Sequence, residues 1–196
     1  MNPQKLMVMA GPNGSGKSTV TAKFQIIGYY INADDIQREL GCTPLEAAQN
    51  ATATREYMLS NNRDFTFESV LSTMRNYELM QRAKAKGYKI ICIYILTKNP
   101  EINVRRVKAR VERGGHNVPT EKIRERYLRA MKLFPKLFEL CDELYVYDNS
   151  YEREESEPEM FILMQYGEIK FMPTSMWPIE DIDKLCSGNF TGEPET

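Results

Sequence analysis

The chain has 196 residues, with 26 Lys/Arg against 27 Asp/Glu, 42% hydrophobic and 27% charged residues. That balance excludes a polyelectrolyte coat for nucleic acid, and the length suits one domain with a sizeable core. No apolar run approaches the roughly 18 residues of a membrane span, and four scattered cysteines without a CxxC pair or a signal peptide read as reduced thiols in the cytoplasm.

In chain order, short β-rich runs alternate with helical patterns, which predicts βαβ units and a parallel sheet. The strands expected are "KLMVMA" (5–10), "YYINA" (29–33), "FTFES" (65–69), "YKIICIYI" (88–95) and "ELYVYD" (143–148). "TPLE" makes Thr43 a helix N-cap, with Pro44 at N1 and Glu46 completing a capping box. Asn99 and Pro100 open another helix in the same manner. "MFILMQYGEIKFM" reads as a β-hairpin turned at Tyr166–Gly167, and the last ten residues read as a frayed tail. Residues 1–150 are then the core, with a lid around 105–130, and 151–196 a hairpin and tail packed on the same domain.

The most specific signal is "GPNGSGKST", Gly11 to Thr19. It satisfies G-x-x-x-x-G-K-[ST] between a predicted strand and a helical pattern, as a phosphate-binding P-loop requires. Gly11, Gly14 and Gly16, with Asn13, Ser15, Lys17, Ser18 and Thr19, would turn their backbone N–H groups inward as an anion nest. Lys17 would reach the β- and γ-phosphates of ATP, and the Ser18 hydroxyl would ligate Mg²⁺. The fold expected is a P-loop NTPase, a three-layer α/β/α domain with a mainly parallel five-stranded sheet, a helical lid and a small C-terminal hairpin.

Three features point toward phosphoryl transfer to a small acceptor. "YYINADDIQREL" puts Asp34 just past a strand end, where open α/β sheets bind ligands, as a general base. Asp34 with Gln37 also fits a capping box, and Asp35 suits the first turn of a helix. "FTFESVLST" ends a strand on Glu68, which would hold acceptor hydroxyls or a Mg²⁺-bound water, with Ser69 and Ser72 extending the polar end. From Lys98 to Lys136 there are 12 Lys/Arg against 4 Asp/Glu, whereas 142–196 has 3 against 14, which suggests a local anion site in the middle. Arg106, Arg110 and Arg113 share one helical face as a triphosphate clamp, with Val104, Val107 and Val111 turned to the sheet. "GGHNVP" then forms a hinged turn, where His116 is a candidate acceptor or phosphate contact. In the next helix Ile123, Tyr127, Ala130 and Met131 are expected to be buried, leaving Arg124, Arg126 and Arg129 on other faces.

"GPNGSGKST", "INADDI", "FTFESVLS" and "RVKARVERGGHNVPTEKIRERY" together resemble the zeta-toxin-like family of P-loop kinases, over roughly residues 5 to 135. The resemblance implies ATP as donor and, from the best-known members, UDP-N-acetylglucosamine as acceptor. By position, Asp34 matches the family's base, Glu68 its acceptor-binding acid, Lys17 and Ser18 its phosphate and Mg²⁺ ligands, and Arg106 or Arg110 its transition-state arginine. His116 and Ser72 stand where the toxins carry arginines. The expected activity is a small-molecule kinase acting on a sugar nucleotide or nucleoside-like acceptor, with His116 and Arg126 among the acceptor contacts. An antitoxin partner is compatible with the resemblance but not required by it. A regulatory nucleotide-binding protein and a polynucleotide 5′-kinase are the alternatives, although the few aromatics near the basic stretch argue against nucleic acid.

Overall fold

The protein is described by a computed structural model over residues 3–151 and 157–192. The five expected strands form β1 (Lys5–Ala10), β2 (Tyr29–Ile31), β3 (Phe65–Ser69), β4 (Lys89–Leu96) and β5 (Glu143–Asp148). They pair in parallel in the order β2-β3-β1-β4-β5. β2 stops at Ile31 because Asn32 turns to cap α2 (Ala33–Leu40), its Oδ1 accepting the Asp34 N–H at 2.9 Å. The capping role considered for Asp34 therefore belongs to Asn32. The expected capping box forms at α3 (Pro44–Ser60), where Thr43 and Glu46 satisfy each other's backbone N–H groups. Asn99 caps α5 (Pro100–Glu112), with Pro100 in the first turn.

The hairpin is a continuation of this sheet. β6 (Glu159–Gln165) pairs antiparallel with β5, and β7 (Glu168–Phe171) pairs antiparallel with β6, giving seven strands in one sheet where five and a small hairpin packed on the same domain were expected. Tyr166 and Gly167 take φ of 53° and 79°, the left-handed pair that a two-residue hairpin needs to follow the sheet's twist.

The two faces of the sheet are covered unequally. On one, Leu6, Val8, Phe65, Phe67, Ile90, Tyr94, Leu144 and Val146 pack in the large core with residues of α3, α4 (Met74–Ala85), α6 (Thr120–Leu133), α7 (Lys136–Leu140) and α8 (Ile179–Cys186). On the other, Met7, Met9, Ile91, Ile93 and Ile95 meet Val20 of the short α1 (Lys17–Thr21), with Phe24 and Ile27 beyond it. The third layer is therefore thin. Ile123, Tyr127, Ala130 and Met131 of α6 are buried as their spacing predicts. Val104, Val107 and Val111 face Val118 and Ile123 in a small core of their own, instead of the sheet. Helices α5 and α6, where a lid was expected, thus hold each other across the Gly114–Pro119 turn.

The C-terminal segment docks at least as far as residue 192. Trp177 is fully buried, stacked on Phe161 at 4.7 Å between centroids and tilted against Phe190 at 4.8 Å. The Lys98 ammonium lies 4.7 Å from the Trp177 ring centre and pairs with Asp181. Of the residues expected to fray, Phe190 is buried, and 193–196 lie outside the described residues. Phe190→Ala should therefore cost about 3 kcal/mol of unfolding free energy, the cost of truncating a buried aromatic. A urea midpoint unchanged from wild type would mean the segment does not dock.

Candidate active site

β1 lies between β3 and β4, and the Gly11–Thr19 loop leaves its carboxyl end. The loop's glycines are demanded by what surrounds them. Gly14 has φ 79°, and a Cβ there would sit 2.6 Å from the Asn103 carbonyl oxygen of α5. At Gly16, with φ 90°, a Cβ would meet the Asn149 Nδ2 at 2.2 Å. That amide donates to the Ser15 carbonyl at 2.8 Å, so the residue after β5 braces the loop. Gly16 also occupies the cap position of α1 without offering a side chain. The first-turn N–H groups are therefore left for an anion. Ser15 Oγ is buried without a hydrogen-bond partner, and Ser18 and Thr19 are exposed at the mouth.

Lys17 folds back over the loop, its Nζ donating to the carbonyls of Gly11 at 2.8 Å and Pro12 at 3.0 Å. Burial brings its ammonium pKa down to about 8, opposed by the charges of Glu68 and then Asp34, and assisted by Arg110. Three predicted site residues from three other parts of the chain, Glu68, Asp34 and Arg110, thus lie close enough to act on Lys17.

The two acids are held differently. Glu68, on β3, accepts from the Tyr30 hydroxyl at 2.6 Å and from Thr21 Oγ1 at 3.1 Å. Asn32 Nδ2 donates in turn to the Tyr30 oxygen at 3.3 Å. Burial, then the Glu68 carboxylate, push the Tyr30 phenol well above its ordinary pKa, so it stays a donor. Asp34 is the second residue of α2 and is exposed, and its carboxylate has no hydrogen bond or ion pair among the described residues. Its neighbour Asp35 pairs with Arg38.

The arginines divide. Arg106 donates to the backbone carbonyls of Asn149 at 2.7 Å and Tyr151 at 2.9 Å, which ties α5 to the segment after β5. Arg110 is exposed and donates to the His116 carbonyl at 2.8 Å, closing the Gly114–Pro119 turn, while its charge reaches Lys17. Arg126 of α6, expected as an acceptor contact, donates to Asn13 Oδ1 at 3.2 Å, which places it against the phosphate loop. His116 is exposed on the turn. Ser72 is buried, and Ser69 Oγ accepts from the Leu71 N–H at 2.9 Å and Asn76 Nδ2 at 2.8 Å, so both shape the loop after β3. Thr21, Tyr30, Asn32 and Asn149 were not singled out in the sequence. Only Thr21, one helical turn after Lys17, carried a positional clue.

Among the described residues no group of three His, Cys, Asp or Glu could hold a metal, and no helix is long and apolar enough to cross a membrane. All four cysteines are free thiols.

The chain resembles proteins already known. It is 30% identical over 129 residues to an uncharacterized protein of Haemophilus influenzae (strain ATCC 51907 / DSM 11121 / KW20 / Rd), covering 63% of this chain and 92% of that one. The native AvrRxo1-ORF1:-ORF2 complex superposes with a TM-score of 0.68 at 15% identity over 94% of this chain, which spans 64% of that protein's length. The crystal structure of the same complex with ATP gives 0.70 at 14% identity, covering 98% of this chain and 66% of that one. The PezAT chromosomal toxin-antitoxin system of Streptococcus pneumoniae gives 0.55 at 15% identity, covering all of this chain and 82% of that one. These likenesses show a shared α/β fold. The Zeta toxin profile matches residues 30–156, more than half of the sequence, and with the phosphate loop and the carboxyl-edge acids in the order described, the chain belongs to the Zeta toxin family.

Proposed function

We propose that this protein is an ATP-dependent kinase that transfers the γ-phosphoryl group to a hydroxyl of a sugar nucleotide or similar small acceptor. The observation that carries the reading is the carboxylate of Asp34, without a hydrogen bond or ion pair among the described residues and held on a helix start within charge range of Lys17. ATP would lie with its β- and γ-phosphates on the Gly11–Thr19 loop. Lys17 would exchange its two carbonyl partners for phosphate oxygens. The Ser18 hydroxyl, exposed at the first turn, fits a Mg²⁺ ion brought in by the triphosphate. Such an ion would neutralise charge on the β- and γ-oxygens.

Glu68, oriented by Tyr30 and Thr21, would accept a hydrogen bond from the acceptor and hold it against Asp34. Asp34 takes the hydroxyl proton as the acceptor oxygen forms its bond to the γ-phosphorus. The bond from that phosphorus to the β–γ bridging oxygen breaks, and ADP leaves. Arg110 is the lid arginine best placed to steady the moving phosphoryl, because its charge already reaches Lys17. An antitoxin protein is a proposed partner, supported by the family and by the PezAT toxin-antitoxin neighbour.

Three outcomes are expected. Asp34→Asn should lower the rate of label transfer from γ-labelled ATP to a pool of sugar nucleotides and nucleosides by 10²-fold or more, the scale of a lost general base. ATP affinity in that variant should be unaltered, and near-normal turnover would remove Asp34 from the chemistry.

Arg110→Ala should cut turnover by a similar factor at constant stability. Arg106→Ala should instead lower the melting temperature, having lost two backbone hydrogen bonds. The reverse pattern would exchange their roles.

The Lys17 ammonium supplies a pH test. In the free protein it titrates near pH 8, and a bound triphosphate favours the charged form. Binding above pH 8 must therefore take up a proton, and the apparent ATP affinity should fall toward tenfold per pH unit there while staying flat below pH 7. Calorimetry at pH 8.5 in buffers of different ionisation enthalpy reads the uptake directly. No uptake would mean that the lysine does not meet the phosphates.

A further inference from the structure

The residues after β4 reach the phosphate loop by two routes. Thr97 is fully buried, and its hydroxyl donates to Asn103 Oδ1 at 2.5 Å. Asn103 is the residue whose carbonyl fills the space that a Cβ at Gly14 would need. The backbone N–H of the next residue, Lys98, donates to Ser150 Oγ at 2.7 Å. Ser150, itself buried, follows Asn149, whose amide braces Ser15 beside Gly16. Residues 97 and 98 thus stand behind both sides of the loop.

The C-terminal segment holds the other side of these two residues. The Lys98 side chain ends among Trp177, Phe190 and Asp181. Its ammonium lies 4.7 and 5.2 Å from the two ring centres and pairs with the carboxylate. Tyr127 donates to the Thr97 carbonyl at 2.6 Å. Gly192, at φ 74°, comes so near that a Cβ there would sit 3.0 Å from the Tyr127 oxygen and 3.0 Å from Pro100, the first residue of α5.

One contact in this buttress is incomplete. Asp148 Oδ2 and Trp177 Nε1 are both buried without a hydrogen-bond partner among the described residues. Burial pushes the Asp148 carboxyl above its ordinary pKa, and Ser150 and then the Trp177 indole draw it back, so the indole stands close to the acid. A buried donor and acceptor so near and still unjoined leave the segment less firmly fixed than its ring packing alone would make it. Whatever settles residues 148–150 can therefore settle Trp177, and the reverse.

We propose that residues 174–192 are a working part of the nucleotide site, with Lys98 as the positioning residue that joins them to the phosphate loop. Docking of the segment fixes residues 97 and 98, and these hold the braces at Gly14 and Gly16 in the shape that receives a triphosphate. Preorganised donors bind more tightly because less order must be created on binding. The coupling acts both ways, so a bound triphosphate fixes the braces and favours the docked segment. The inference rests on the part of the kinase reading that seats a triphosphate on the loop, and it needs no acceptor.

The test uses the full chain with a non-hydrolysable ATP analogue and Mg²⁺, its affinity read by calorimetry. Lys98→Met keeps the backbone N–H and an apolar stem but loses the ammonium, while Asp181, 3.7 Å from Lys184, keeps a second cation. Lys98→Met should weaken binding about fivefold or more, the lower end of coupling between linked sites. Lys98→Arg should recover most of the loss. Asp181→Asn, which loosens the clamp from the other side, should weaken binding too. Simple attraction of the anion predicts the opposite there, because an acid has been removed.

Amide hydrogen exchange in wild type reads the reciprocal effect and stands even if a variant fails to fold. Saturating analogue should slow exchange in 174–192 by about threefold or more and leave the edge strand β7 as it was. Unchanged affinity in folded Lys98→Met, tighter binding by Asp181→Asn, no slowing in 174–192, or equal slowing in β7 would each overturn the proposal. Failure of phosphoryl transfer alone would look different, as this coupling intact with no acceptor taking label. An analogue that does not bind wild type at all would remove both readings.

Discussion

The phosphate loop is gripped from three sides, and the geometry of the site depends on that grip. Ile95 of β4 crowds Gly11, Asn103 of α5 crowds Gly14, and Asn149 after β5 crowds Gly16. From the remaining direction the Gly11 N–H donates to the Ser69 carbonyl at 3.2 Å. A loop so enclosed has little freedom to reorganise when a triphosphate arrives, and preorganised donors act with the greatest effect. The same enclosure explains why residues distant in sequence share the site. Each bracing residue lies at the carboxyl end of a strand, just after one, or in the first turn of the helix that follows, and parallel strands bring all those ends to one edge.

At that edge the protein has distributed hydrogen bonds unequally between two carboxylates. Glu68 is anchored by a phenol and a hydroxyl, which restricts its rotamer. Asp34 has its backbone N–H capped by Asn32 while its side chain is left without a partner. An acidic side chain on the first turn of a helix lies favourably along the helix dipole, so Asp34 needs no side-chain partner there. The proposed proton transfer from an acceptor needs a carboxylate with such a free side chain. The Lys17 ammonium, drawn down toward neutrality by burial, is held charged largely by these two acids.

Much of the fold could be read from local chemistry. The Thr43–Glu46 box, the strand runs and the buried positions of α6 are set by residues within a few places of each other, and they appear where the pattern put them. The errors lie where a distant partner decides. Asn32 and Asp34 are both good caps, and only the length of β2 chooses between them. Phe190 looks like part of a polar tail until Trp177 and Lys98 are placed against it. The valines of α5 have the right spacing for a buried face, but spacing does not say which neighbour they meet. In the site, glycines and acids at strand ends carry recognisable patterns. Tyr30 and Asn149 carry none, because each acts through a contact to a residue at least twelve places away.

Helix α5 shows why position along a helix is not enough to assign an arginine. Arg106 and Arg110 are one turn apart on the same face of α5, and chain position treats them as equivalent. Arg106 meets the carbonyls after β5, which are fixed by the sheet, so removing it for catalysis would leave two acceptors unsatisfied. Among the described residues Arg110 has one side-chain hydrogen bond, to the carbonyl of His116 on the turn between α5 and α6. The valine core shared by α5, α6 and the turn is separate from the main core. A small displacement of the turn toward the phosphates therefore leaves the sheet's packing intact and carries Arg110 with it. Arg126, already against Asn13, marks the direction in which that movement would close.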